Sequence, residues 1–254
     1  MSLALYPSIR LGKTEQKIRE SISRLSTGLN VLAGATGGDF AQATGLKTEA
    51  KSYGKLSSAA SVGQDLLLAA ESALVELASL ASRLREIGIA DTDSSNSASD
   101  TAALNAEAIA VSDTIDDIVT SLTVNNIALL GTSARTYNIP KDVDGNTTAI
   151  KTTEGITATN ISDATGANTT ADTALGEITT SMGHVAGHLK SMQAISNVSD
   201  SIEAIELQAA ARLIDTNFAV ETAKLMKNQL ISKYAHSMVA KGNESEKDKL
   251  MLII

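Results

Sequence analysis

His184 and His188 stand four residues apart in a run whose apolar pattern is helical, a spacing that can bring two imidazoles onto one metal ion. The chemistry stops there. No Glu lies between them as in the metal hydrolases, and no third ligand follows nearby. Two solvent-facing or interface histidines account for the pair, so no metal is expected. Carboxylates are plentiful, but Asp113, Asp116 and Asp117 fall between the apolar positions of a helix and read as its solvated face. Gly34-Ala-Thr-Gly-Gly38 lacks the Lys-Ser/Thr ending of a phosphate loop, and no nucleophile elbow occurs. With no cysteine, thiol catalysis, disulfides and Cys-based zinc sites are excluded. The sequence therefore predicts no catalytic residue and no cofactor. Asn146, Asn160 and Asn168 begin Asn-X-Ser/Thr acceptor patterns, which arise readily in a segment this rich in Thr and Asn.

The elements around these residues carry more information. Leu104, Ala108, Val111, Ile115, Ile118 and Leu122 alternate steps of four and three, as do Ile178, Met182, Val185, Leu189 and Met192. Such seams belong to helices packed side by side, knobs into holes. An earlier stripe, Leu11, Ile18, Ile22, Leu25, Leu29 and Leu32, predicts a first helix over residues 11–32, starting after Pro7 and ending at the glycines of residues 33–39. A second is predicted over residues 41–89, with Gly45, Gly54 and Gly63 weakening it. The polar run of residues 91–100 makes a loop, with Asp100 or Thr101 capping a third helix over residues 102–124. The period then changes: residues 137–139, 147–151 and 156–161 are short β-branched runs, with Asp144-Gly145 as a hairpin turn. Helix resumes at Asp172 or Thr173 and runs to about Lys241, with an interruption expected at residues 197–200. A weakly structured charged stretch, residues 242–249, precedes an apolar tail.

Composition suits such a bundle. Of 254 residues 43% are hydrophobic but only 2% aromatic, so burial rests on Ala, Leu, Ile and Val, which let helices approach closely. The net charge of -8 argues against non-specific nucleic-acid binding. Arg10, Lys13, Lys17, Arg19 and Arg24 locally outnumber Glu15 and Glu20, and read as a solvated helix face. No run of about 18 apolar residues occurs, so no membrane span is expected. The N-terminus lacks the charged and long apolar regions of a secretory signal, so export would need another route. The apolar tail of residues 250–254, like Leu3, Leu5, Ile9 and Leu11, would be a liability if left exposed; burial against other copies is the expectation.

Ser23-Arg-Leu-Ser-Thr-Gly-Leu29 resembles the Arg-Leu-Ser-Ser-Gly-Leu signature of bacterial flagellins. Glu71-Ser-Ala-Leu74, Arg83-Leu-Arg-Glu-Ile87 and Asn126-Ile-Ala-Leu-Leu130 are similar to further segments of that family. Ala211-Arg-Leu-Ile-Asp-Thr-Asn-Phe-Ala-Val-Glu221 resembles its C-terminal motif, the most specific of these. The resemblance covers residues 2–131 and 175–254. It implies a mainly α fold, an elongated antiparallel helical bundle or coiled coil with a small β-hairpin element in the middle. Residues 1–35 with 218–254 would form the inner filament core, and residues 36–131 with 172–217 the surrounding coiled-coil layer. Residues 132–171 would be a small outward-facing β-rich insertion.

The implied function is that of a secreted, extracellular structural subunit polymerising into the flagellar filament for motility, and not an enzyme. Its partners would be many copies of itself, together with an export chaperone of the type III route, cap proteins and hook-associated proteins, without nucleic acid or membrane. Self-assembly residues are expected at Leu3, Leu5, Ile9, Leu11, Ile18, Ile22, Leu25 and Leu29. The C-terminal set is Phe218, Leu225, Leu230, Tyr234, Met238, Leu250, Leu252 and Ile254. A segment that Toll-like receptor 5 reads in many flagellins matches Arg83, Ile87 and Glu107, although Gly88, Ala90 and Asp91 depart from that pattern. The alternatives are a hook–filament junction protein and, from a different class, a secreted helical effector or a metal-binding enzyme resting on His184 and His188.

Overall fold

The computed structural model describes residues 5–30 and 37–251. Among them the chain is mainly α. Helices α1 (Leu5–Thr27), α2 (Gly37–Asp91) and α3 (Ala98–Ser121) come first. Two antiparallel hairpins follow, β1 (Thr123–Val124) with β2 (Ile127–Ala128), and β3 (Arg135–Pro140) with β4 (Thr147–Thr153). Helices α4 (Ala167–Ile214) and α5 (Phe218–Met251) complete the chain. It divides into two compact units, Met1–Ala50 with Ala204–Ile254, and Lys51–Glu203. Both α2 and α4 contribute residues to each.

In the Lys51–Glu203 unit, both four-three seams feed one core. Ala108 and Ile115 of α3 pack with Ile178, Val185 and Met192 of α4 and with Leu67, Leu74, Leu77 and Leu84 of α2. Helices α2 and α4 run antiparallel. Ser57 meets Ser196 (3.0 Å) near one end, and Arg85 meets Asp172 (2.7 Å) near the other. Gly88 stands where α4 begins, and a Cβ added there would lie 2.3 Å from the Asn168 amide nitrogen. Glycine at this point is a condition of the close approach.

Helix α3 starts earlier than its sequence suggests. Ser97, not Asp100 or Thr101, is the N-cap: its hydroxyl accepts from the Asp100 amide, and the Asp100 carboxylate in turn accepts from the Ser97 amide, a capping box. The small β1–β2 hairpin turns through Asn125 and Asn126, both at positive φ (52° and 64°), the mirror-image turn that matches strand twist.

The β3–β4 hairpin is the expected one, with a register shift next to Arg135. Asp142 organises its turn by accepting from the Asp144 and Asn146 amides (3.1 and 3.0 Å). Residues 156–161 do not form a strand. The Ile156 amide donates to the Gly131 carbonyl (3.0 Å), and the following amides go to side chains: Asp116 accepts from those of Thr159 and Asn160 (2.8 and 3.2 Å), and Glu177 from that of Thr157 (2.6 Å). Asn105 then takes the Ala164 amide (2.7 Å). Asp116 is thus an anchor for a strap of chain and not part of a merely solvated face.

Helix α4 resumes at Ala167 and runs unbroken through residues 197–200. The break comes instead after Ile214, where Asn217 caps α5 by accepting from the Val220 amide (3.2 Å). Residues 242–249, expected to be weakly structured, lie within α5.

Candidate self-assembly surface

The unit formed by Met1–Ala50 and Ala204–Ile254 holds most of the residues on which self-assembly was expected to rest. Helix α1 closes at Gly28, whose positive φ (70°) no β-carbon could adopt cheaply, and whose amide donates to the Arg24 carbonyl (2.8 Å). The next residue, Leu29, is therefore not on the helix stripe. It forms an isolated antiparallel bridge with Asp215: Thr216 donates to the Gly28 carbonyl (3.0 Å) and Asn30 to that of Ile214 (2.6 Å). Leu29 packs with Ala43, Leu46, Ala210, Leu213 and Ile214 in a small core. The bridge thus ties the end of α1 to the α4–α5 junction, and from there α5 runs back along α1.

Polar contacts set the direction of that pair. Ser21 donates to Glu221 (2.8 Å), and His236 lies 3.8 Å from Glu15, so the helices are antiparallel. Glu221 is 3% exposed and also receives Arg24 (3.3 Å) and Lys224 (3.2 Å). Burial pushes its carboxyl pKa up, but the hydrogen bonds from Ser21 and Lys224, with the Lys224 and Arg24 charges, outweigh it. The net result is a pKa below the ordinary carboxylate value.

Around this polar link the apolar side chains face outward. Leu230 and Tyr234 are each 68% exposed and Ile9 57%, with Ile22, Phe218 and Met238 also exposed. Leu11, Ile18, Leu25, Leu29 and Leu225 are half-buried. Leu5 and Leu250 lie within α1 and α5; Leu3, Leu252 and Ile254 lie outside the described residues. Val220, Met226 and Ile231 of α5 are exposed too and were not singled out by the seam pattern, because α5 has no single apolar stripe. Equally unread was the pairing of Ser21 and Arg24 with Glu221, since nothing in the sequence pairs residues 200 apart; Arg24, expected on a solvated face, is mostly covered and bound to Glu221. The only hint was a carboxylate in the first turn of a helix, beside a basic one.

In the other unit Arg83 reaches Glu107 (2.6 Å) and Glu86 (3.1 Å), so two of the three residues matched to the receptor segment meet on one surface. Ile87 is 1% exposed and belongs to the core, so it supports that surface from beneath. His184 contacts Glu154 (3.2 Å), and its ring stacks on His188 with centroids 6.4 Å apart. Burial, then the charges of His184 and Lys151, hold the His188 pKa below the usual imidazole value. Among the described residues no group of three His, Cys, Asp or Glu could hold a metal ion. Nor is any helix among them long and apolar enough to cross a membrane.

Comparison with known proteins points to one family. The chain matches the bacterial flagellin N-terminal helical region over residues 2–135. It is 25% identical to flagellin FlaB1 of Treponema pallidum, covering 98% of this chain and 97% of that protein. It is 24% identical to a flagellin of Halalkalibacterium halodurans, covering 92% of this chain and 91% of the relative. A flagellar filament 33 kDa core protein of Treponema phagedenis is 23% identical over 98% of this chain and 97% of its own length. With more than half of its length matched by that region and the relatives spanned almost end to end, this chain belongs to the bacterial flagellin family.

Proposed function

We propose that this flagellin polymerises through α1 and α5, where Ile9, Ile22, Phe218, Leu230, Tyr234 and Met238 stand exposed in the single subunit. As a flagellin it is a structural subunit of the flagellar filament. The observation that carries the terminal-helix reading is the exposure of Leu230 and Tyr234 on a helix otherwise held to α1 by a buried carboxylate. Exposed apolar area of this kind marks an interface, and repeated head-to-tail contacts generate a helical polymer. Residues 1–35 and 218–254 would then make the inner core of the filament. Residues 36–131 and 172–217 would make the layer around it, and residues 132–171 the outward insertion. Assembly of this type places the protein outside the cytoplasm, secreted and extracellular, after contact with an export chaperone and with cap and hook-associated proteins.

Removal of Leu250–Ile254 tests the reading. The shortened chain is expected to keep most of its helix by circular dichroism yet to form no filaments under the electron microscope after salting-out. Filaments in normal yield would overturn the terminal interface.

A further inference from the structure

Helices α1 and α5 enclose a cleft of about 400 Å³. Lys17, Arg24, Lys224 and Lys227 line it, against Glu20 and Glu221. Glu221 is already engaged, receiving Ser21, Arg24 and Lys224. Glu20 accepts from Gln16 (3.2 Å) on its own helix. The cations therefore outnumber the carboxylates, and the Arg24 Nε–H is buried without a hydrogen-bond partner among the described residues. A buried guanidinium donor with no acceptor is costly, and guanidinium geometry matches an oxyanion such as a carboxylate. The cleft is built for an oxyanion that a single subunit does not supply.

We propose that this cleft is a socket for a carboxylate side chain of a second copy of the chain, held by Lys17, Arg24 and Lys227. The proposal rests on the self-assembly reading above and names the chemistry of one of its contacts. Charge distribution points to a second copy as the source. The Met1–Ala50 and Ala204–Ile254 unit carries 13 Lys and Arg against 10 Asp and Glu, whereas Lys51–Glu203 carries 8 against 19. Each copy thus brings both a basic cleft and a surplus of carboxylates. The socket also adjoins the apolar surface, because exposed Ile231 of α5 forms part of its wall. A carboxylate entering beside buried apolar contacts is partly desolvated, which strengthens its attraction to the three cations and makes the contact selective for orientation.

The test uses the full chain, seeded with short fragments of its own filaments, and measures by sedimentation the lowest concentration that polymerises. Lys17→Glu/Lys227→Glu is expected to raise that threshold by about tenfold at low ionic strength, two charge contacts being reversed. Helix content and melting temperature of the dispersed subunit should stay unchanged. Lys227→Arg should behave as the natural chain does. The natural threshold itself should rise between about 0.05 and 0.3 M NaCl, as screening shortens the reach of the charges. Failure of the natural chain to polymerise would remove the assembly reading. Normal filaments with an unchanged threshold in the double variant would leave assembly standing and overturn the socket. So would a melting temperature raised by inorganic phosphate and lost in the double variant without a change of threshold, because the cleft would then be a site for a small free anion.

Discussion

Glu221 shows how one side chain can decide the geometry of two helices. It is nearly inaccessible, it is ionised, and its partners come from both α1 and α5. Its folded-state pKa lies below the ordinary value, so the protein releases this proton more readily folded than unfolded. The contribution to stability is present above the ordinary carboxylate pKa and fades as pH falls through the lower, folded value. Acidification should therefore loosen α1 from α5, seen as faster amide hydrogen exchange in residues 10–27. Glu221→Gln should flatten that pH dependence while lowering stability at neutral pH; an unchanged pH profile would contradict the assignment. Gly88 is a second decisive residue. Gly88→Ala forces a methyl against the start of α4 and is expected to cost about 1–3 kcal/mol in denaturant unfolding.

At the scale of elements, caps and straps replace what periodicity cannot supply. The Ser97–Asp100 capping box starts α3 at a place the polar run of residues 91–100 left open, since nine of its ten side chains are of types that cap helices. Ser97→Ala is expected to lower stability by about 1 kcal/mol in a thermal melt. Asp116 does for residues 156–161 what a partner strand would have done, taking two of their amides and the Thr159 hydroxyl. Asp116→Ala should leave the α3 helix intact yet expose the strap, detected as protease cleavage between residues 154 and 166 that the natural chain resists. The β-branched run at residues 156–161 had the composition of a strand, but the amides of Thr157, Thr159, Asn160 and Ile161 are met by α3 and α4 side chains.

At the scale of the whole molecule, the apolar residues fall into two populations. Those of Lys51–Glu203 on the two seams are consumed in one core, so the seams meet within a single chain. Those of α5 largely are not, although the helix is held in place by polar contacts to α1. Leu230→Ser/Tyr234→Ser should therefore leave the melting of the single subunit within about 0.5 kcal/mol of the natural chain, as expected for surface positions. The same variant should lose filaments in electron micrographs; if it still polymerised normally, α5 would not be the assembly surface.

The amino-acid sequence alone determined the helical class, the hairpin at residues 135–153 and the family, because seam periodicity and contiguous motifs are local properties of the chain. Arg83 and Glu107 were legible as a pair of positions through that family likeness, but only the fold shows that they touch while Ile87 is buried. The helix break belonged at residues 215–217 and not at 197–200, because residues 197–200 pass through a continuous helix while Asp215 is drawn into a bridge with Leu29. Tertiary structure likewise decided that Leu29 leaves the stripe, that Asp116 anchors a strap, and that Glu221 joins Ser21 and Arg24 from 197 or more residues away. Each depends on a partner remote in sequence, and a remote partner leaves no period to read.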